Sequence, residues 1–140
     1  MPGALRDLGV RPAPHVGPIL FVCTRNSARS QFAAALWRRT HGTDAESAGT
    51  EPAEHVHVGA ISAARRAGLD LDDAFPRRLE RATPPELIVT VCDRAHEELR
   101  FATRHWSIPD PVVDGSDAAF DRALELIRAR ITALTPRTTA

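Results

Sequence analysis

The chain contains no lysine and no tyrosine, and aromatic residues make up only 5% of its 140 positions. All 18 basic residues are therefore arginines, and 18 acidic residues balance them to a formal net charge of zero. A neutral chain gives no electrostatic reason to expect nucleic acid as a partner. No apolar run reaches the length of a membrane span, and residues 1–18 lack the apolar stretch of a signal peptide. We therefore expect neither nucleic acid nor a membrane as partner, and a cytoplasmic location.

Cysteine is also scarce, since Cys23 and Cys92 are the only two in the sequence. A pair of cysteines in a small chain is compatible with one disulfide of a secreted protein. The position of Cys23 at the end of an apolar run is instead typical of a reactive thiol, which favours a reducing compartment. The length fits one domain with its own core.

Strands and helices alternate along the chain. Residues 1–18 contain four prolines and are predicted to form an extended or poorly ordered arm, followed by a domain over 19–135 and a tail at 136–140. Apolar and β-branched runs predict strands at 19–22, 45–48, 87–92 and 105–108. Periodicity and stop signals predict helices at 28–41, 58–67, 93–100 and 116–134, with a short helical turn around 77–81. This alternation predicts an α/β fold with a parallel sheet.

The most informative segment is Ile19–Ser30, which reads ILFVCTRNSARS. The apolar run predicts a buried strand that ends with Cys23 at the edge of the sheet. Five residues separate Cys23 from Arg29, which gives the spacing Cys-x5-Arg, and a helical pattern follows. The intervening turn directs its N–H groups inward and forms a nest for an oxyanion. The positive end of the helix points at the same place. We call residues 23–29 the oxyanion loop.

Each side chain of this loop has a predicted role. The planar guanidinium of Arg29 suits two oxygens of a tetrahedral anion, and the same positive field holds Cys23 as a nucleophilic thiolate. Asn26 is expected to take a left-handed conformation, and Ser30 to donate a hydrogen bond to the thiolate. The other positions that bind or support the anion are Thr24, Arg25, Ser27 and Ala28.

The oxyanion loop resembles that of the low-molecular-weight protein tyrosine phosphatases and of the thioredoxin-coupled arsenate reductases that share their fold. Further similarity follows in the expected order, and part of it looks most like the reductase branch: Ser30-Gln31, Ala45–Pro52, Ile88–Asp93, His105-Trp106 and Asp110-Pro111. The resemblance covers roughly residues 18 to 134. It implies a flavodoxin-like three-layer sandwich, with a four-stranded parallel sheet of order 2-1-3-4 and helices on both faces. The loop then lies at the carboxyl end of the first strand, where ligands bind in open α/β sheets.

The resemblance also implies a general acid for the leaving group. Asp110 beside Pro111 matches the acid of the phosphatases, and Asp114 is the second candidate. Cys23 would attack phosphorus to form a thiophosphate ester, while Arg29 and the loop amides stabilise the charge of the transition state. We expect this chemistry to need no cofactor and no metal.

Cys92 has two possible roles. It is either a buried structural thiol or a redox thiol that attacks an intermediate on Cys23. In reductases that use three cysteines, another cysteine lies seven residues further on, where this chain has Leu99. A second cysteine often found in the loop is replaced by Ala28.

Arg25 departs from the family, which usually has a small residue there. It is either a solvated charge at the rim of the substrate site or a ligand for a second anionic group of the substrate. Trp106, like Phe75, either walls the cleft or packs in the protein. His55 and His57 lack the further ligands of a metal site and are interpreted as part of a loop.

The sequence leaves two enzymatic functions in competition. A phosphate monoester hydrolase, acting on phosphotyrosine or a small molecule, needs only Cys23, Arg29 and Asp110; Val112 stands where the phosphatases usually carry the tyrosine that stacks on phosphotyrosine. A thiol-dependent arsenate reductase would need a resolving thiol, either Cys92 or an external reductant. A non-enzymatic anion sensor is disfavoured because every catalytic position is filled. We favour the hydrolase.

Overall fold

The computed structural model describes residues 19–80, 87–99, 102 and 104–134. The arm predicted at 1–18 and the tail at 136–140 lie outside these residues. In the described part, no helix is long and apolar enough to cross a membrane.

Four strands and five helices alternate along the described residues. In chain order they are β1 (Ile19–Cys23), α1 (Arg29–His41), β2 (Ala45–Gly49), α2 (Val58–Arg66), β3 (Leu87–Thr90), α3 (Asp93–Glu98), β4 (Arg104–His105), α4 (Pro111–Asp114) and α5 (Asp117–Ala133).

The strands form one parallel sheet of order β2-β1-β3-β4, which confirms the predicted topology and the flavodoxin-like fold. β1 is central, and all five of its residues are buried, as its unbroken apolar run predicts. Its last residue, Cys23, is paired with Gly49 of β2, so that the nucleophile candidate lies at the carboxyl edge of the sheet.

The helices cover both faces of the sheet. The chain moves in one direction from β1 to β2 and in the opposite direction from β3 to β4, so right-handed crossovers place α1 and α3 on opposite faces. α5 packs against α1 and α2.

Ser116 caps α5 by accepting from the Ala119 N–H at 3.1 Å, and Gly42 ends α1 in the left-handed conformation. The predicted apolar stripe of α5 is buried at Phe120, Leu124, Ile127 and Ile131, and half-buried at Leu134.

Two predictions for the second half of the chain are wrong. No helical turn forms over 77–80: Arg78 makes a parallel bridge with Gly49, because the Gly49 N–H donates to the Arg77 carbonyl and the Leu79 N–H donates to the Gly49 carbonyl. Arg81 lies outside the described residues. The strand predicted at 105–108 is also shorter than expected, since only two residues pair with β3. α4 was not predicted; Pro111 starts it and Gly115 ends it.

Candidate active site

The oxyanion loop is held open by hydrogen bonds to its carbonyl groups. Every carbonyl from Cys23 to Ser27 accepts a hydrogen bond from outside the loop. The donors are the N–H groups of Thr50, Glu51, Ala53 and His57, and the side chain of Gln31, whose Nε2 bonds the Asn26 carbonyl at 3.1 Å. Because the carbonyls are engaged in this way, the loop amides are left for the interior of the turn. We call residues 50–57, which supply four of these donors, the β2–α2 connection.

Asn26 fixes the shape of the turn. It has a φ of 53°, which confirms the predicted left-handed conformation, and its side chain is fully buried. Asn26 Oδ1 accepts from the Arg77 N–H at 2.8 Å, and its Nδ2 donates to Ser30 Oγ at 2.7 Å. Together these contacts join the loop to the start of α1 and to the segment that pairs with Gly49.

The thiol of Cys23 lies at the floor of this turn. The Asn26 N–H donates to Cys23 Sγ at 3.2 Å, and Ser30 Oγ lies 2.9 Å from the sulfur. Because Ser30 Oγ already accepts a hydrogen bond from Asn26, its own proton is available for the sulfur. This contact is the one that the sequence predicts.

Burial has the largest effect on the pKa of Cys23 and raises it above the ordinary value of a thiol. The hydrogen bonds from Ser30 and the charge of Arg29 act in the opposite direction and lower it. Burial therefore opposes the predicted thiolate, while Ser30 and Arg29 favour it, and ionised Cys23 stays a prediction. Desolvation outweighs the effect of these two residues, and the thiolate depends on the polar groups that counter it.

Arg29 and Asp110 lie together above the thiol. Arg29 Nη1 donates to the Ile108 carbonyl at 2.8 Å, and its Nη2 lies 3.7 Å from Asp110 Oδ2. The Arg29 side chain is 12% exposed and that of Asp110 is 41% exposed, so the carboxyl group reaches solvent while the guanidinium is fixed. Asp110 Oδ1 also accepts from the Val112 N–H, which orients the carboxyl group at the start of α4. Binding of two anion oxygens by Arg29 stays a prediction.

Two clefts meet at these residues. The Cys23 cleft, of about 230 Å³, is lined by Cys23, Arg25, Ser27, Ala28, Arg29, Ala53, His55, His57, Asp110 and Val112. The Cys92 cleft, of about 570 Å³, is lined by Thr24, Arg25, Arg29, Cys92, Asp93, Arg94, Ser107, Ile108, Pro109 and Asp110. Arg25, Arg29 and Asp110 thus face both clefts, whereas each thiol belongs to one of them.

The strand register explains why the thiols are separated. Val22 pairs with Thr90, so the next positions place Cys23 beside Val91 and Thr24 beside Cys92. Cys92 Sγ lies 3.3 Å from Thr24 Oγ1 and accepts from the Ala95 N–H at 3.4 Å at the start of α3. Neighbouring residues of a strand point to opposite faces, so Cys92 shares the side of Thr24 rather than that of Cys23. Both cysteines are free thiols.

Several predicted residues lie elsewhere. Trp106 is 5% exposed and packs against Phe21 with ring centroids 5.7 Å apart, so its interpretation as a substrate rim is wrong and the packing alternative holds. Asp114 lines neither cleft, and hydrogen bonds from Ser116 lower its pKa, which makes it a poor proton donor. Phe75 is exposed, and its carbonyl accepts from Gln31.

Sequence reasoning missed the part that the β2–α2 connection plays. Ala53, His55 and His57 line the Cys23 cleft, whereas the sequence analysis interprets the two histidines only as part of a loop. Among the residues that the structure describes, no group of three potential metal-binding side chains occurs. The position of the connection, directly after the carboxyl end of β2 and next to β1, was the available signal for a ligand site.

Comparisons with known proteins agree with this architecture. Residues 18–139 match the family model described as low molecular weight phosphotyrosine protein phosphatase. The chain is 32% identical to arsenate reductase 1 of Bacillus cereus over 123 residues, which covers 81% of this chain and 90% of the relative.

Solved structures with the same fold include both kinds of enzyme. An arsenate reductase from Archaeoglobus fulgidus superposes with a TM-score of 0.69 at 31% identity, covering 82% of this chain and 96% of that one. The tyrosine phosphatase Wzb from Escherichia coli K30, in complex with sulphate, has a TM-score of 0.74 at 25% identity, covering 83% and 94%. The fold, the extent of the family match and the reductase relatives together establish that this chain belongs to the low molecular weight phosphotyrosine protein phosphatase family.

Proposed function

We propose that the chain is a cysteine-dependent hydrolase of phosphate monoesters that acts through a cysteinyl-phosphate intermediate. The observation that carries this proposal is the convergence of Cys23, Arg29 and Asp110 on one cleft in which Cys23 is the only thiol among the lining residues. Nucleophile, anion-binding guanidinium and solvent-reaching carboxyl group are the three parts that such hydrolysis needs.

In the first step, the Cys23 thiolate attacks phosphorus while the bond from phosphorus to the leaving oxygen breaks. Arg29 and the loop amides stabilise the three non-bridging oxygens, and Asp110 gives its proton to the leaving oxygen. In the second step, water attacks the cysteinyl phosphate, Asp110 takes the proton of that water, and the sulfur–phosphorus bond breaks. Phosphate leaves, and the thiolate and the protonated carboxyl group are restored.

Release of phosphate from an aryl phosphate tests this proposal. Cys23→Ser should abolish turnover yet retain binding of inorganic phosphate, because the hydroxyl does not ionise here while the amides and Arg29 remain. Appreciable hydrolysis by this variant would contradict a covalent intermediate. Because the proposed nucleophile has to remain a free thiol, we expect the chain to act in a reducing, cytoplasmic compartment.

Arsenate reduction is the second candidate, favoured by the names of the relatives and by the Cys92 cleft. Arsenate would esterify Cys23 with loss of water, and a thiol would attack the Cys23 sulfur, forming a disulfide as arsenic takes two electrons and leaves as arsenite. Because Arg25, Arg29 and Asp110 face both clefts, an external thiol bound in the Cys92 cleft would lie next to the oxyanion site. Leu99 is buried and offers no thiol to relay the disulfide outward.

The two candidates differ in a direct assay. Arsenite formation that requires a low-molecular-weight thiol or a dithiol protein, in the absence of phosphate release from aryl phosphates, would favour the reductase. Phosphate release with arsenate acting only as a competitive inhibitor would favour the hydrolase.

A further inference from the structure

The β2–α2 connection forms one wall of the Cys23 cleft and is joined to the oxyanion loop by hydrogen bonds. Four main-chain hydrogen bonds of 2.8 to 3.2 Å connect the β2–α2 connection to the carbonyls of the loop. The carbonyl of Arg25 accepts from Ala53, and the N–H of His57 donates to Ser27. The side chains of Arg25, His55 and His57 are therefore held around one opening by a backbone that is already in place.

Arg25 has an uncommitted charge at this opening. Its side chain is exposed, and within the described part of the chain its guanidinium makes no hydrogen bond or ion pair. The neighbouring arginines differ, since Arg29 is bound to Ile108 and Asp110, and Arg94 to Glu51 and Glu98. Arg25 is thus the one cation of the Cys23 cleft whose charge no described residue offsets.

His57 adds a hydrogen-bond donor of known orientation. Its Nδ1 accepts from the Gly59 N–H at 2.9 Å, so in the neutral ring the proton resides on Nε2. The ring is also stacked on Phe120, with centroids 5.0 Å apart. His55, which is exposed, lines the same opening.

The cleft is poorly suited to an aromatic ring. Among the described residues, its apolar lining consists of Ala28, Ala53 and Val112 and includes no phenylalanine or tryptophan. Its volume of about 230 Å³ is that of a small ligand rather than of a peptide segment. The unpaired charge of Arg25, the histidine donors and the size of the cleft therefore all indicate a small anionic ligand.

We propose that the Cys23 cleft recognises small molecules that carry a second anionic group beside the oxyanion, with Arg25 as the residue that binds this second group and His55 and His57 as flanking donors. The proposal rests on the proposed function, because it names the substrate class of that same site: small phosphate monoesters with an additional carboxylate or phosphate, in preference to phosphotyrosine in proteins.

Binding of non-hydrolysable phosphonates tests the proposal without depending on turnover. The probes are 3-phosphonopropionate and its neutral match, 3-phosphonopropionamide, titrated by calorimetry into the wild-type chain. We expect the carboxylate to bind roughly fivefold more tightly than the amide, the upper end for an exposed ion pair. In Arg25→Gln this ratio should fall to about one, because both probes lose the general attraction of the cation for the phosphonate but only the carboxylate also loses an ion pair.

Arg130→Gln is the matched control, because it removes an exposed arginine from the last turn of α5 and changes the net charge equally. It should keep the wild-type ratio. His55→Gln, a second surface variant, should reduce the ratio in part. Equal binding of both probes to the wild type, or an unchanged ratio in Arg25→Gln, would overturn the inference.

Phosphate release from phenyl phosphate separates this outcome from failure of the proposed function. A fivefold ratio without any phosphate release would leave the anion subsite standing and remove the hydrolase. Phosphate release with equal binding of the two probes would support the hydrolase and overturn the anion subsite. Binding of neither phosphonate would overturn the anion subsite, and both proposals would fall if phosphate release were absent as well.

Discussion

Ser30 is the residue through which the loop most directly counters the burial of Cys23. Its hydroxyl lies 2.9 Å from the sulfur, and its hydrogen bonds lower a pKa that burial raises. Ser30→Ala should therefore raise the pKa of Cys23 further. At neutral pH this shift should slow alkylation of Cys23 by iodoacetamide roughly 10- to 100-fold, from the usual contribution of a hydrogen bond to a charged group.

The pH dependence of the alkylation rate measures this effect directly. Cys92→Ala should be the background for both proteins, so that Cys23 is the only thiol. Ser62→Ala, a serine-to-alanine change on α2, is the control and should leave the rate unchanged. A normal alkylation profile in Ser30→Ala would mean that the amides and Arg29 alone set the ionisation of the thiol.

Asp110 is the second residue whose role can be separated from that of its neighbours. If it protonates the leaving group, Asp110→Asn should slow hydrolysis of phosphates with poor leaving groups by roughly 10²–10⁴-fold, and activated aryl phosphates should lose less. Asp114→Asn, at the end of the same short helix, should keep normal rates. An equal loss across leaving groups would assign Asp110 to fixing Arg29 instead.

Local chemistry decides which single residues are predictable. Asn26 could be assigned a left-handed conformation from the sequence, because few non-glycine side chains tolerate it. Trp106 could not be placed, since an aromatic ring after a short strand suits either a cleft or the core, and only its contact with Phe21 decides. The effect of burial on the pKa of Cys23 could not be predicted, because the extent of that burial depends on the whole fold.

Among the elements, the junction of β2 with the oxyanion loop is the most sensitive to change. A Cβ atom on Gly49 would lie 2.6 Å from the Thr24 carbonyl oxygen and 3.0 Å from Asn26 Cβ. Gly49→Ala should therefore displace the loop, weaken binding of inorganic phosphate at least tenfold and lower the free energy of unfolding by about 1–3 kcal/mol, the usual cost of overpacking. Calorimetric titration and denaturant unfolding measure the two effects.

Gly42→Ala provides the contrast. No atom lies within 4 Å of a Cβ added there, but Gly42 has a φ of 71°, so alanine should cost about 1 kcal/mol of stability through backbone strain alone. Phosphate binding should be unchanged. If Gly49→Ala bound phosphate as well as Gly42→Ala, the close approach of β2 to the loop would not control the site.

Elements with strong local patterns were predicted, and those set by distant contacts were not. β1, α1 and α5 follow from apolar runs, periodicity and caps. The segment around Arg78 contains charged residues compatible with a helical turn, yet its backbone is extended because Gly49 pairs with it. That bridge joins residues far apart in sequence, and no local pattern encodes it.

At the scale of the whole molecule, the sheet register determines what Cys92 can do. Cys92 lies beside Thr24, in a different cleft from Cys23, and caps α3. In a hydrolase, Cys92→Ala should cost about 1–2 kcal/mol of stability through the lost cap and packing, with turnover per folded molecule changed less than twofold.

The same arrangement predicts the response to arsenate. A Cys23–Cys92 disulfide needs Cα atoms about 4.4–6.8 Å apart and side chains directed at each other, whereas these two thiols line different clefts and Cys92 Sγ faces Thr24. We therefore expect arsenate alone to leave two free thiols per chain, counted by mass spectrometry after alkylation. Loss of both thiols with arsenate, reversed by a reductant, would overturn the preference for the hydrolase.

The hydrogen bonds between the oxyanion loop and the β2–α2 connection also limit how this protein can change over evolutionary time. The backbone that carries the proposed flanking donors His55 and His57 also donates the hydrogen bonds that turn the loop carbonyls away from the anion. The side chains of Ala53 and His55 make no hydrogen bond with a described residue and are open to substitution, whereas His57 caps α2 through its Nδ1 and stacks on Phe120. An insertion or deletion within 50–57 would shift the donors out of register and unmake the anion site as well. A new ligand specificity can therefore arise in this chain by substitution of side chains, but not by a change in the length of the β2–α2 connection.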